Sequence, residues 1–144
     1  MTLLKIARVP APTVSLDTTV IQAIQQMAEI RVGAVSVVKH DELVGIFTER
    51  DVVRRVAVQG LSMDRTTMSE VMTSPVKVAH ADTKPSEALS VMASNRFRHL
   101  PIVGNGMKLE GMLSLSRVLH WIVEDLSQEL TALDCYMRAD GPGG

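Results

Sequence analysis

The sequence predicts an α/β (α+β) fold of two tandem β-α-β-β-α repeats packed around a pseudo-twofold axis, plus an extended C-terminal helix. Two observations carry that prediction. Sliding the chain on itself by 65 places sets Asp17 on Asp82, Thr18 on Thr83, Ala23 on Ala88, Met27 on Met92, Arg31 on Arg96 and Val38 on Val103. After one extra residue in the second hairpin the offset is 66, and Leu43, Gly45 and Val52 fall on Leu109, Gly111 and Val118. Self-similarity of this kind marks a duplicated unit. Within each copy, apolar residues first recur at helical spacing and then form two short runs, so a helix precedes a hairpin. Neither copy is large enough to bury a good core alone, so the two sheets are expected to pack together and leave clefts between them.

Each copy begins with an extended segment. In the first, Val20, Ile24, Met27 and Ala28 lie one helical face apart behind the start signal Asp17-Thr18-Thr19. The run Ala34-Val35-Ser36-Val37-Val38, the polar turn Lys39-His40-Asp41-Glu42 and Leu43-Val44-Gly45-Ile46-Phe47 make the hairpin. A second helix follows from Glu49, with Val52, Val53 and Val56 expected on its apolar side. Between the copies, Thr67-Met68-Ser69-Glu70 has a capping-box pattern for a short helix that Thr73-Ser74-Pro75 ends. In the second copy Pro85 suits a first helical position. A helix Ser86 to Ser94, strands Leu100 to Val103 and Leu109 to Leu113 around the turn Gly104-Asn105-Gly106, and a helix from Ser116 complete the pattern. The organisation is therefore repeat one over 5–60, a linker with a short helix over 61–75, repeat two over 76–123, and a helical extension with a disordered end over 124–144.

Composition excludes several classes of function. A net charge of -1 with 22% charged residues gives no reason to expect nucleic acid or an anionic membrane as main partner. The single Cys135 has no intramolecular disulfide partner, which fits a reducing compartment. Lys5 and Arg8 interrupt any apolar signal core at the N-terminus, so the protein is expected in the cytoplasm. His40, His80 and His120 share no metal-ligand spacing. No nucleophile motif, Cys/His pair or phosphate-binding Gly-rich loop is present, so a binding module is expected and not an enzyme.

The duplicated unit, the Gly45-Ile46-Phe47-Thr48-Glu49-Arg50-Asp51 motif and the strand start Arg98-His99-Leu100-Pro101-Ile102-Val103 closely resemble a tandem pair of cystathionine-β-synthase (CBS) domains, a Bateman module. The resemblance covers about residues 5–123. It implies that an adenosine-containing ligand, such as AMP, ADP, ATP, S-adenosylmethionine or NAD, binds in a cleft between the repeats. Carried onto this chain, Asp51 would hold the ribose hydroxyls beside Thr48 and Thr18, Arg98 and His99 would face phosphates, and the backbone at Gly33 and Ala34 would meet the adenine. The family also implies a homodimer with two equivalent sites and a separate, unidentified regulated protein.

Read from its own residues, the Thr48/Asp51 pair fits two roles. It is a capping-box-like pair worth about 1 kcal/mol with no ligand present, and its carboxylate equally suits a vicinal diol. The second repeat favours the ligand role. There Gly111-Met112-Leu113-Ser114-Leu115-Ser116-Arg117 places at the aspartate position an arginine, which has donors only. Gly33 and Ala34 likewise stand where that repeat has Arg98 and His99. One cleft thus keeps both halves of a site and its twin lacks both; Lys84 and Arg117 leave the twin basic, a place for an anion. Arg50 is read either as a phosphate contact or as a solvated side chain, and His99 either as a ligand or as a packed residue beside Pro101.

Two functions follow: a sensor for an adenine nucleotide, with AMP, ADP or ATP favoured because Arg98 and His99 imply a phosphate, or a ligand-free dimerisation scaffold in which Asp51 only caps its helix. Beyond the repeats, Leu119, Ile122, Val123, Leu126, Leu130, Leu133 and Met137 form a stripe that needs a partner surface, in its own module or across a dimer.

Overall fold

The structure, a computed structural model, describes residues 2–139; the expected disordered end, Asp140 to Gly144, lies outside the described residues. The first repeat contains β1 (Thr13–Ser15), α1 (Val20–Ile30), β2 (Ala34–Lys39), β3 (Glu42–Thr48) and α2 (Glu49–Asp51), which continues as a π-helical stretch over Val52–Ala57. The linker carries α3 (Met68–Val71), and the second repeat α4 (Pro85–Asn95), β4 (His99–Val103), β5 (Leu109–Ser114) and α5 (Leu115–Ala139). In the first sheet β1 runs parallel to β2 and β2 antiparallel to β3. The second sheet is the β4–β5 hairpin, with the segment ahead of α4 adding only a parallel bridge at Ala79↔Ile102.

Helix ends follow local chemistry. Thr19 caps α1, its Oγ1 accepting from the Gln22 amide at 3.3 Å while Gln22 Oε1 accepts from the Thr19 amide at 3.0 Å. Both α1 and α4 end at an arginine in the left-handed region, Arg31 (φ 56°) and Arg96 (φ 57°). The expected apolar side of the helix after β3 needs correction: Val56 is buried and Val52 partly so, but Val53 is 58% exposed. The wider π-helical turn changes the angular spacing, so three apolar residues do not share one face.

Packing joins the repeats by exchange. Leu3 and Ala7, ahead of β1, pack with Ala88, Met92, Leu100 and Leu113 of the second repeat. Met68 and Val71 of the linker pack with Val20, Val35 and Phe47 of the first. The backbone bridges Arg8↔Met112 and Thr73↔Ile46 are related by the offsets of the duplication, as a pseudo-twofold axis requires. Between the sheets a smaller cluster of Ala11, Ala34, Ile46 and Met112 closes the contact. Each fully buried large side chain here contributes about 1.5–3 kcal/mol, so neither core is complete without the other repeat's leading segment.

Candidate functional site

Where the exchanged linker meets α2 and β4, a cavity of about 460 Å³ opens between the repeats, a size that holds a small organic ligand. β3 delivers Thr48 to one wall, and the turn into α2 places Asp51 behind it. The capping box is closed: the Thr48 amide donates to Asp51 Oδ2 at 3.0 Å and the Asp51 amide to Thr48 Oγ1 at 3.2 Å. Asp51 Oδ1 accepts from the Thr73 hydroxyl at 3.2 Å and lies 3.5 Å from Arg55 Nε. Thr73 is held there by its two-way backbone pairing with Ile46, at 2.8 and 3.0 Å. Asp51 is only 8% exposed, and a carboxylate's four lone-pair sites leave it acceptor capacity toward the cavity.

The opposite wall is the chain leaving α4, from Asn95 through Phe97 to His99. Arg50 reaches across the repeats and donates from Nη1 to the Arg96 carbonyl at 3.0 Å. Burial lowers the pKa of His99; Glu49 opposes that shift and Arg98 adds to it, so the ring is neutral at neutral pH. Gly33 is tight against this group: a Cβ there would lie 3.1 Å from His99 Cε1 and 3.5 Å from the Glu49 carboxyl. The lining carries six cations, Arg50, Arg54, Arg55, Lys77, Arg96 and Arg98, against Glu49 and Asp51. Among the described residues Arg50, Arg54, Lys77, Arg96 and Arg98 make no ion pair, so the cavity is electropositive beside one buried carboxylate.

Asp51, Thr48, Gly33, Arg50, Arg98 and His99 therefore meet in one place. Thr18 and Ala34 do not line it. Thr18 Oγ1 accepts from the Ser15 amide at 3.0 Å and its carbonyl from the Met68 amide at 2.9 Å, which fixes it in the turn before α1. Ala34 is 1% exposed, in the contact between the sheets. The second threonine on Asp51, beside Thr48, is Thr73 and not Thr18; Thr73, Lys77, Arg54, Arg96 and Phe97 were not expected in the site from the sequence. The duplication held a signal for it, since Thr73 stands 65 places after Arg8. At the twin position the Arg117 amide donates to Ser114 Oγ at 3.3 Å, the same cap without the carboxylate, and Arg8 replaces Thr73 against Met112.

No group of His, Cys, Asp and Glu among the described residues is arranged to hold a metal, and no described helix is long and apolar enough to cross a membrane.

Comparison with known proteins agrees with this architecture. The sequence profile of the CBS domain matches residues 5–58 and 68–124. The mitochondrial CBS domain-containing protein CBSX3 of Arabidopsis thaliana is 36% identical over 127 residues, 85% of this chain, which spans 61% of that relative's length. A solved structure of a protein with CBS domains from Burkholderia ambifaria MC40-6 superposes with a TM-score of 0.78 at 32% identity, covering 87% of this chain and 96% of its own. The structure of CBSX2 in complex with AMP shares the fold at 20% identity, with a TM-score of 0.72 over 85% of this chain and 96% of its own. With two matched copies in tandem and a relative of this identity along nearly all of its own length, the chain belongs to the CBS-domain family.

Proposed function

We propose that the chain is a regulatory ligand-sensing module that binds an adenine nucleotide, AMP, ADP or ATP, in the Asp51 cleft. The observation that carries this reading is a buried carboxylate, Asp51, whose duplicate is Arg117, set beside five cations that make no ion pair among the described residues. Asp51 accepts the ribose hydroxyls, Thr48 and Thr73 flank it, and Arg98, with Lys77, Arg96 and neutral His99 as hydrogen-bond partner, takes phosphate. The AMP complex of CBSX2, a protein of the same fold, supports the ligand class. S-adenosylmethionine and NAD share the adenosine half and compete on that part alone. A bound nucleotide touches both repeats, favours one relative orientation of them, and so biases a surface used by a separate regulated protein. The module works as a homodimer with two equivalent sites. Its proposed place is the cytoplasm, on the unpaired Cys135; fractionation decides between that and the mitochondrial location of the Arabidopsis relative.

Titration calorimetry of the full chain with AMP, ATP, S-adenosylmethionine and NADH tests the reading. Asp51→Ala is expected to weaken AMP binding by about 1.5–3 kcal/mol, the worth of charge-assisted hydrogen bonds. Arg117→Ala should leave affinity unchanged, and a comparable loss there would move the site to the other cleft. The closed Thr48/Asp51 capping box favours a second reading, a ligand-free dimerisation scaffold. Heat from none of the four ligands would establish the scaffold and end the sensor.

A further inference from the structure

The last residue of α5 that packs on the second core is Ile122, yet the helix runs on to Ala139. Along it Leu119, Val123, Leu126, Leu130, Leu133 and Met137 are 42%, 59%, 52%, 65%, 54% and 62% exposed. Packing inside the module therefore does not account for the stripe. Its spacing alternates four and three residues without a break: Leu119, Leu126 and Leu133 occupy one heptad position and Val123, Leu130 and Met137 the other. That is the seam of a coiled coil, with no polar residue at any of the six core places, and it complements a second copy of itself. At 1.5 Å per residue it extends about 27 Å.

The flanking positions set the direction. On one side stand His120, Ser127 and Asp134, and on the other Ile122, Glu129 and Tyr136. Two parallel helices would bring Glu129 against Asp134 of the second copy, twice. Two antiparallel helices bring His120 against Asp134 and Ile122 against Tyr136, each twice, with Leu126 opposite Leu130 at the core and one Glu129 pair near the centre. A second feature favours the same direction. Beside Leu119 lies a second cavity, of about 830 Å³, whose near side is bordered by Ile24, Met27, Val52 and Leu115 and whose far side meets the nucleotide cleft at Glu49, Arg98 and His99. Antiparallel pairing brings Met137 of the second copy opposite Leu119, at the apolar near side of this recess.

Resting on the homodimer reading above and giving it an interface, we propose that two copies of this chain pair through α5 as an antiparallel coiled coil, the end of each helix seated at the other copy's recess between α1 and α5. The experiment is sedimentation equilibrium of the full chain, wild type and variants. Wild type should be dimeric at about 100 μM, and Leu126→Lys/Leu130→Lys should weaken pairing by about 100-fold or more, two buried leucines a copy being lost. Both residues are exposed in the single chain, so circular dichroism should report an unchanged fold, and AMP calorimetry on the same sample keeps the nucleotide reading separate. His120→Lys should tighten the dimer and Asp134→Lys loosen it, each by about threefold. A double variant that pairs as tightly as wild type, or a monomeric wild type, overturns the seam. Asp134→Lys tightening the dimer overturns the antiparallel direction.

Discussion

Asp51 accepts from the Thr48 amide and the Thr73 hydroxyl at once, so its removal alters both the start of α2 and the cavity. Asp51→Ala should therefore cost about 1 kcal/mol of stability through the lost cap, in addition to its effect on AMP. Asp51→Asn keeps an acceptor for the Thr48 amide and isolates the charge; urea unfolding beside calorimetry separates the two effects. Gly33 offers a cleaner probe. Its missing Cβ leaves space that the His99 ring uses at 3.1 Å, so Gly33→Ala should push that ring a few tenths of an ångström and weaken AMP binding about 3- to 10-fold, a loss small beside that of a charged contact. Unchanged affinity would detach His99 from the ligand. The ring also makes a pH prediction. Burial holds its pKa below the ordinary 6.5, so near that pH the unfolded chain binds more protons than the folded one. The stability His99 contributes by staying neutral is full above pH 6.5 and is lost as pH falls through its folded pKa. Unfolding at pH 7.5 and 5 should show this loss, reduced in His99→Gln; an equal loss in the variant would assign it to other groups. At this scale the motif residues were legible because side-chain type and spacing identify them. Thr73 was not, because its place beside Asp51 is decided by the Ile46↔Thr73 bridge, a contact between segments far apart in sequence.

Elements were the most legible level. The helical and β-branched runs of each repeat became helices and strands within about a residue of their expected ends, because capping residues such as Thr19 and Pro85 carry their own signals. The π-helical stretch after Asp51 was not legible: it turns Val53 to solvent although hydropathy groups it with Val52 and Val56. The left-handed endings of α1 and α4 were equally hidden, since arginine is not the residue that conformation prefers. They give a prediction. Arg31→Gly removes a Cβ from φ 56° and should stabilise the protein by about 0.5–1 kcal/mol, net of glycine's larger unfolded-state entropy, which a melting curve would show as a rise of a few degrees. A fall would mean the Arg31 side chain, not its backbone, matters to the fold. The equivalent Arg96→Gly also removes a cavity cation, so it should raise stability while weakening AMP binding.

At the scale of the molecule, the duplication gave the two units, and what it left out was which segment completes which core. Leu3 and Met68 sit in the cores of the opposite repeats, and Arg50 latches the two walls of the cavity through the Arg96 carbonyl. Two units so exchanged should unfold as one, with a single heat-absorption peak in calorimetry. A nucleotide bound between them acts on that whole transition, because Asp51 belongs to one repeat and Arg98 to the other. At a ligand concentration of about 100 times the dissociation constant, linkage adds about 2.7 kcal/mol, which for a chain of this size moves the midpoint by about 5–10 °C. AMP should therefore shift one peak intact, and at the same AMP concentration the shift in Asp51→Ala should fall to about half or less. A peak that splits on adding AMP, with only one half moving, would mean that the ligand grips a single repeat. A bridging nucleotide has to hold both, since only then does its binding energy set their relative orientation and reach a surface outside the cleft.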